Sequence, residues 1–498
     1  MLHKIVFDDE ITLWWTLEEF SSGEYEFYLN GEYHGRTTKT HYSFIGLQAE
    51  QNYEISLRVK GVDGYTEKRE IVVKTSPTKR RIDVTQAPYY AVGDGKTLNT
   101  KAIQRALNDC CQDELIYFPE GEYLTGSLNV HSNTEIYLEV GAILQGTDRV
   151  EDYLPKIKSR FEGIEMECYS SLLNLGTLDR NDGYNCESVV IRGGGTISGG
   201  GLALANAIIE SEKQRLESFL KENAEYVKTC ENERTIPGRA RGRLINMSNC
   251  QNIIIAGVTM QYGPSWNIHM IYSKDIVTYG CKVISKGVWN GDGWNPDSSE
   301  NCVIFDTVFD TGDDCVAIKS GKNPEGNYIN RPCFNIFVFD CKAFEGHGMS
   351  IGSEISGGIH SVYVWDCDFK NTWYGLNIKG TKKRGGYVKN VNVKNCIFSC
   401  VLVWCVSFND DGEGSKYPPL FCDYTFENII LAGTDYFQKI GVMDKKRYVF
   451  FNGFEEKEYY IQNILFKNIK LINTPNAEVF ELRNTNGIVL KDVFFVNR

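Results

Sequence analysis

The chain has 498 residues, which is too long for one ordinary domain and suggests a large domain with a small one, unless a repeat architecture extends the limit. Its formal net charge of -12 argues against nucleic acid as a partner, because surfaces that bind phosphate are normally basic. No apolar run approaches membrane-spanning length and the N-terminus lacks a secretion signal, so we expect no membrane partner and a cytoplasmic protein.

The cysteines are scattered, and most lie within apolar, strand-like runs. None of the 16 shows the spacing of a zinc site. We therefore expect reduced, buried thiols that pack as small hydrophobic groups, with no metal and no cofactor.

Residues 1–78 predict a small antiparallel β-sandwich. Tyr25, Phe27 and Leu29 alternate before an Asn-Gly hairpin signal, and apolar residues alternate again from Tyr53 to Val59. With one of two adjacent tryptophans as a core aromatic and Tyr53 at a tyrosine corner, the segment resembles a fibronectin type III module.

After a polar linker, Asn99 or Thr100 can cap a short amphipathic helix, and short strands then dominate residues 82–498. The exception is a charged amphipathic stretch at about 201–238, which predicts a helical insertion. The strands repeat at intervals of 23 to 34 residues, with a column of small or apolar residues at Val258, Cys281, Thr307, Cys341, Cys367 and Cys396. Repeats of this length with Asn and Gly at the corners favour a right-handed parallel β-helix and thus an all-β chain.

A second aligned column predicts that several titratable residues lie side by side. Pro296, Ile318, Ile351 and Ile378 align, and Asp292, Asp314 and His347 lie four residues before the first three of them. Equal positions on successive coils of a β-helix are about 4.8 Å apart, so these side chains are expected to form one cluster. Asp313 joins the cluster as the neighbour of Asp314, and Lys379 follows the fourth member of the column.

Crowded carboxyl groups suit the hydrolysis of a glycosidic bond. Inverting hydrolysis needs one protonated carboxyl to donate to the leaving oxygen and one ionised carboxyl to activate water. Three neighbouring aspartates raise one another's pKa, so one can keep its proton while the others stay charged.

Four motifs in this region occur in the order of a known family: NGDG (290–293), GDDC (312–315), GHG (346–348) and NIK (377–379). Together they make residues 82–498 resemble glycoside hydrolase family 28, the polygalacturonases. A fibronectin-like module in front is similar to bacterial exo-acting members. The resemblance implies an inverting, exo-acting hydrolase that releases terminal galacturonic acid from pectin-derived oligogalacturonides.

The resemblance also implies roles for the matching residues. Asp313 would be the general acid, Asp292 and Asp314 would hold the water, and His347 would support the acid. Residues expected to bind substrate are Asn290, Asn377, Lys379, Asp297, Lys383 and Arg384. The sequence by itself does not determine which aspartate takes which part.

One departure from the family concerns specificity. The family usually has Arg-Ile-Lys where this chain has Asn377-Ile378-Lys379, so a guanidinium group that would grip a uronate carboxylate is missing. Either Lys382, Lys383 or Arg384 takes over, or the terminal sugar is not galacturonate. Asp297 matches an acidic position of bacterial relatives, with a turn residue after proline as the alternative.

Three alternatives remain from the sequence. The same mechanism could act on another terminal sugar of a pectic or plant glycoside. A pectate lyase shares the β-helix but depends on calcium and a basic catalyst. A non-catalytic carbohydrate-binding β-helix is the third, although binding alone gives no reason to crowd three carboxyl groups.

Overall fold

The computed structural model describes residues 2–20, 23–61, 64–181, 183–407, 411–436, 446–472 and 477–496. The chain divides into two compact units, Met1–Arg80 and Arg81–Arg498. The helices of the described residues do not combine the length and apolar character needed to span a bilayer. The sixteen cysteines are free thiols, and most of them are buried.

The first unit is an antiparallel sandwich of a three-stranded and a four-stranded sheet, as predicted. Its core surrounds Trp15, which is fully buried and contacts Phe20 and Tyr25 edge-on. The likeness to a fibronectin type III module stays a prediction. The strands are β1 (His3–Val6), β2 (Glu10–Trp14), β3 (Glu24–Leu29), β4 (Glu32–Thr37), β5 (His41–Ile45), β6 (Asn52–Gly61) and β7 (Gly64–Lys74).

The second unit is the predicted parallel β-helix, in which each coil contributes strands to three faces. It begins with β8 (Arg80–Asp83). Face 1 consists of β9 (Glu114–Phe118), β12 (Glu135–Leu138), β17 (Cys186–Gly193), β20 (Cys250–Ala256), β23 (Lys274–Tyr279), β26 (Glu300–Phe305), β29 (Cys333–Phe339), β32 (Ile359–Trp365) and β35 (Tyr387–Lys394).

Face 2 consists of β10 (Gly121–Thr125), β13 (Ala142–Gly146), β18 (Thr196–Ser198), β21 (Thr259–Gln261), β24 (Lys282–Ile284), β27 (Val308–Asp310), β30 (Lys342–Glu345), β33 (Asp368–Phe369) and β36 (Ile397–Phe398). Three longer strands of the last coils continue faces 1 and 2: β38 (Leu420–Leu431), β40 (Ile461–Ile472) and β42 (Thr485–Val496).

Face 3 is a separate parallel sheet and carries the motifs. Its strands are β11 (Leu128–Val130), β16 (Leu173–Leu175), β19 (Ile245–Ser248), β22 (Ile268–Ile271), β25 (Trp294–Asp297), β28 (Asp314–Ile318), β31 (Gly348–Ile351), β34 (Leu376–Gly380), β37 (Val401–Cys405), β39 (Lys446–Asn452) and β41 (Ala477–Arg483). An antiparallel hairpin of β14 (Ile157–Phe161) and β15 (Ile164–Cys168) projects from an early coil.

The repeat spacing predicted the coil register correctly. Strands of face 2 pair so that Thr259, Lys282, Val308, Lys342, Asp368 and Ile397 lie side by side. Each of these residues directly follows one member of the predicted column, and all members of that column are buried. The period of the chain therefore equals one turn of the solenoid.

Asparagine forms corners of the coils because it tolerates left-handed backbone angles and its amide can bond to the next coil. Asn301 has φ 53° and donates from Nδ2 to Asp275 Oδ1 at 2.8 Å. Asn335, one coil later, has φ 54° and donates to Asn301 Oδ1 at 3.1 Å.

Six α-helices lie in the described part of the β-helix unit. The helix α1 (Thr100–Asp109) is the predicted amphipathic helix, and it buries Ile103, Ala106 and Leu107. The stretch predicted as an insertion contains α2 (Gly201–Arg215), α3 (Glu217–Glu222), α4 (Ala224–Val227) and α5 (Thr235–Gly238), and a single turn, α6 (Glu325–Ile329), follows β28.

Candidate active site

The motif strands lie side by side on face 3 in the order β25, β28, β31 and β34. Ile318 pairs with Ile351, and Ile351 pairs with Ile378. The pairing of β25 with β28 adds Pro296 to this column. The four motifs are therefore brought to one region of the molecule by the coil register.

One detail of the predicted stack is wrong. Equal spacing would place His347 opposite Asp314, but the pairing of β28 with β31 shifts register between Asp314 and Val316, and Asp314 lies opposite Gly348. As a result His347 lies beside Asp313, and its backbone N–H donates to Asp313 O at 2.9 Å. A bulge of this kind redirects a side chain without breaking the coil.

The two glycines that flank His347 permit this bulge. Gly346 has φ +118° and Gly348 has φ +96°, which L side chains rarely adopt. A Cβ atom on Gly348 would lie 1.7 Å from Tyr374 O. The backbone conformation therefore requires the two glycines of the GHG motif, in addition to the role of its histidine.

A cavity of about 360 Å³ opens beside these strands. Six of the residues predicted from the motifs line it: Asn290, Asp292, Asp313, Asp314, His347 and Lys379. The cluster therefore opens into a space that a ligand can enter.

Asp313 and His347 form an ion pair at the accessible side of the cluster. His347 Nδ1 lies 2.8 Å from Asp313 Oδ1, and each side chain keeps about a fifth of its surface exposed, 20% and 22%. Burial opposes the charge of Asp313, but His347, Lys379 and Lys319 outweigh it and lower its pKa to about 2. Burial also opposes the imidazolium, but Asp313 raises the pKa of His347 above its ordinary value.

Asp292 is the carboxyl group of the cluster that favours its protonated form. Its pKa is raised well above the ordinary value, first because the group is buried and then because Asp313 and Asp314 repel its charge. Lys319, whose Nζ lies 3.6 Å from Asp292 Oδ2, acts in the opposite direction.

Asp314 is held by groups from the next two strands of face 3. Ser350 Oγ donates to its Oδ1 at 2.6 Å, and Lys379 Nζ lies 3.4 Å from its Oδ2. The predicted neighbourhood of Lys379 and the aspartates is present, and Lys379 neutralises one of the crowded carboxylates.

Asn290 lines the cavity in a left-handed turn with φ 52°. Its Oδ1 accepts a bond of 2.6 Å from Arg241, which is fully buried and also donates to the carbonyl of Trp289 at 2.8 Å. Arg241 thereby orients the loop that carries Asp292.

Asp297 does not belong to the cavity, and its predicted contact with substrate is wrong. Its carboxylate is fully buried, with Arg160 at 2.9 Å and His269 at 3.3 Å. Arg160 belongs to the hairpin strand β14, so Asp297 fastens this hairpin to face 3.

Three further residues predicted to bind substrate also fail to line the cavity. Asn377 is 1% exposed and accepts a bond of 2.8 Å from Trp404 Nε1. Arg384 is fully buried and donates to Ser353 O at 3.0 Å, so it supports a lining residue from behind. Lys383 lies outside the lining as well.

Several lining residues were not predicted as site residues: Lys319, Glu354, Arg239, Tyr374, Tyr436 and Asp411. The sequence does contain a signal for Lys319 as a site residue. It directly follows Ile318 of the aligned column, just as Lys379 directly follows Ile378. Its Nζ lies 3.4 Å from Glu354 Oε2, and burial of Glu354 is outweighed by Lys319 and Arg384, so that its pKa falls to about 2. The other residues come from loops outside the repeat.

Asp313, Asp314 and His347 place one potential ligand atom each within 4.8 Å of one another, as in a metal site. The ammonium group of Lys379 at 3.4 Å from Asp314 already supplies positive charge there. The absence of a metal and of a cofactor stays a prediction.

Comparison with known proteins identifies the family. Residues 176–407 match the model of glycosyl hydrolases family 28. The exo-poly-alpha-D-galacturonosidase of Dickeya chrysanthemi is 27% identical over 483 residues, which cover 91% of this chain and 78% of that protein. Residues 176–407 belong to glycosyl hydrolases family 28.

Solved structures of this family share the fold. The family 28 exopolygalacturonase of Yersinia enterocolitica superposes with a TM-score of 0.75 at 21% identity, over 100% of this chain and 98% of that one. The hyperthermoactive exopolygalacturonase of Thermotoga maritima gives a TM-score of 0.65 at 26% identity, over 83% of this chain and 92% of that one. The chain is a glycoside hydrolase, and the cluster of Asp292, Asp313 and Asp314 is its candidate catalytic centre.

Proposed function

We propose that this enzyme removes terminal galacturonic acid from pectin-derived oligogalacturonides, with inversion at the anomeric carbon. The observation that carries the proposal is the single cavity that holds Asp292, Asp313, Asp314 and His347. The names of the relatives, which describe exo-acting galacturonosidases, supply the substrate.

The walls of the cavity support action at a chain end. Thr229, Glu231 and Arg239, from the region of the helical insertion, line it together with Asp411. Asp411 is paired with Arg239 at 3.0 Å and with Lys322 of the segment after β28. Because separate insertions are tied together at this wall, we expect the cavity to receive one terminal sugar.

In the proposed reaction Asp313 protonates the leaving glycosidic oxygen. The Asp313–His347 pair holds one proton across its 2.8 Å contact, and in the unliganded site that proton favours His347. Its transfer to Asp313 Oδ1 creates the acid, and the C–O bond to the departing sugar breaks as the proton leaves. The exposed position of this pair allows a new proton to enter from solvent.

Water attacks the anomeric carbon from the opposite face and loses its proton to the second carboxylate site. Asp314, paired with Lys379, takes this proton in our proposal, while Asp292 positions the water. The raised pKa of Asp292 favours a group that donates a hydrogen bond over one that takes a proton.

Digestion of a defined oligogalacturonide series tests the proposal. We expect one galacturonic acid to be released per event from one end, with inverted configuration by NMR. Random internal cleavage would contradict exo action, and intact oligomers after prolonged incubation would show that oligogalacturonides are not the substrate. Asp313→Asn should lower kcat by about 10² to 10⁴ and keep a wild-type melting curve.

A different terminal sugar is the second candidate, and the lining charge favours it. The acidic lining residues are Glu162, Glu231, Asp292, Asp313, Asp314, Glu354 and Asp411, against four basic ones, Arg239, Lys319, His347 and Lys379. Each of those four is already paired with a carboxylate of the chain. A panel of nitrophenyl glycosides with charged and neutral sugars separates the two candidates.

A further inference from the structure

An aromatic stack lies against the face of His347. The Trp373 ring lies 4.1 Å from the His347 ring at an interplanar angle of 27°. Tyr436 lies 4.4 Å from Trp373 at 26°. Two nearly parallel rings this close to Trp373 would overlap on one side of it, so His347 and Tyr436 must cover its opposite faces.

This arrangement excludes the role that exposure would suggest for Trp373. The side chain is 42% exposed, and exposed tryptophans beside a glycosidase site commonly stack on sugar rings. A ring of the chain already lies against each face of Trp373, so a sugar would have to displace one of them in order to stack there.

The stack is anchored to the backbone of the site. Trp373 N–H donates to Gly346 O at 3.0 Å, and Tyr374 N–H donates to His347 O at 3.1 Å. From the other side, Thr434 Oγ1 donates to Trp373 O at 2.8 Å, which fastens the segment that carries Tyr436. The position of the imidazole plane is therefore determined by two chain segments.

We propose that Trp373, clamped by Tyr436, is a positioning residue that keeps His347 Nδ1 aimed at Asp313. A flat ring at 4.1 Å restricts rotation of the imidazole about its own axis and favours its charged form through the aromatic face. Neither Trp373 nor its indole N–H touches the reacting atoms in this proposal. It rests on the proposed function of Asp313 as the acid.

The charged and titratable groups that face His347 come from several elements. Asp313 lies at 2.8 Å and Asp314 at 3.9 Å, and Lys379 opposes the charge of the imidazolium. Tyr374 meets the imidazole edge-on at 5.7 Å between ring centres. Trp373 supplies none of these groups, so we expect its removal to act on the orientation of the imidazole ring.

Leaving-group dependence tests the inference. A sugar leaving group needs the proton from Asp313, whereas a dinitrophenolate does not. For Trp373→Ala we expect kcat on oligogalacturonide to fall about 10-fold to 100-fold with KM changed less than about 3-fold, and activity on dinitrophenyl galacturonide to stay within about 3-fold of wild type. Trp373→Phe should recover most of the loss because it keeps a flat ring.

Equal losses on both substrates, or no loss on either, would overturn the inference. If Trp373→Ala does not fold by circular dichroism, Trp373→Leu, which keeps apolar bulk but removes the flat ring, provides the same comparison. Asp313→Asn is measured in parallel. If Asp313→Asn loses activity on both substrates, Asp313 is not the acid and this inference fails with that assignment. If Asp313→Asn loses activity only on oligogalacturonide but the Trp373 variant loses activity on both substrates, the inference alone is overturned. Tyr328→Ala, at a side chain that is 80% exposed, is the matched control and should leave both rates unchanged.

Discussion

Tyr226 Oη donates a hydrogen bond of 2.9 Å to Asp411 Oδ2, although 185 residues separate the two in the chain. The same carboxylate pairs with Arg239 at 3.0 Å and with Lys322. One side chain thus joins the helical insertion to the segment after β28.

Asp411→Ala should loosen this wall and change the products. Each charge-assisted bond that is lost is worth about 1.5 to 3 kcal/mol, so we expect dimers and longer fragments beside the monomer. Anion-exchange chromatography of digests measures this. Asp368→Ala, which removes a surface carboxylate paired with Lys370, is the control. Release of monomer alone at the wild-type rate would show that the wall does not select chain ends.

The pH profile should depend on His347. The pKa of His347 is raised by Asp313, so the pair keeps its proton until the pH exceeds the ordinary histidine value, and the contribution of the pair to stability is lost as the pH rises through the raised pKa. In His347→Gln the proton must reside on Asp313 alone, so the alkaline limb of kcat/KM should move to lower pH. If the alkaline limb of kcat/KM stays at the wild-type pH, His347 does not control the proton of the acid.

Asp297→Asn should reduce stability without changing specificity. The substitution leaves Arg160 buried without its anion, and removing one partner of a buried pair costs about 3 to 5 kcal/mol. Chemical denaturation measures this loss, and KM on oligogalacturonide should change less than about 2-fold. A large rise in KM with unchanged stability would restore Asp297 as a binding residue.

Chelation should leave the activity intact. In the proposed mechanism Lys319 and Lys379 compensate the negative charge of the aspartates, and no metal takes part. EDTA should change the rate by less than about 2-fold, and the products should show no near-ultraviolet absorbance from an unsaturated sugar. Calcium-dependent activity with such a product would identify a lyase.

Much of the fold and of the site follows from periodicity. Inward residues such as Cys281 and Cys341 recur once per coil, and the same period aligns Ile318, Ile351 and Ile378. Because each coil packs on its neighbours in register, a repeat visible in the chain translates directly into neighbours in space. This is why the sequence by itself predicts that Asp292, Asp313 and Asp314 form one cluster.

What breaks the period was decided only by the tertiary structure. A one-residue bulge places His347 beside Asp313 rather than Asp314. Arg160, 137 residues before Asp297, turns that aspartate into a buried ion-pair partner. Such contacts depend on packing between segments that share no repeat, so the sequence by itself determined the solenoid and its cluster of aspartates, while the walls, the ion pairs and the aromatic stack required the fold.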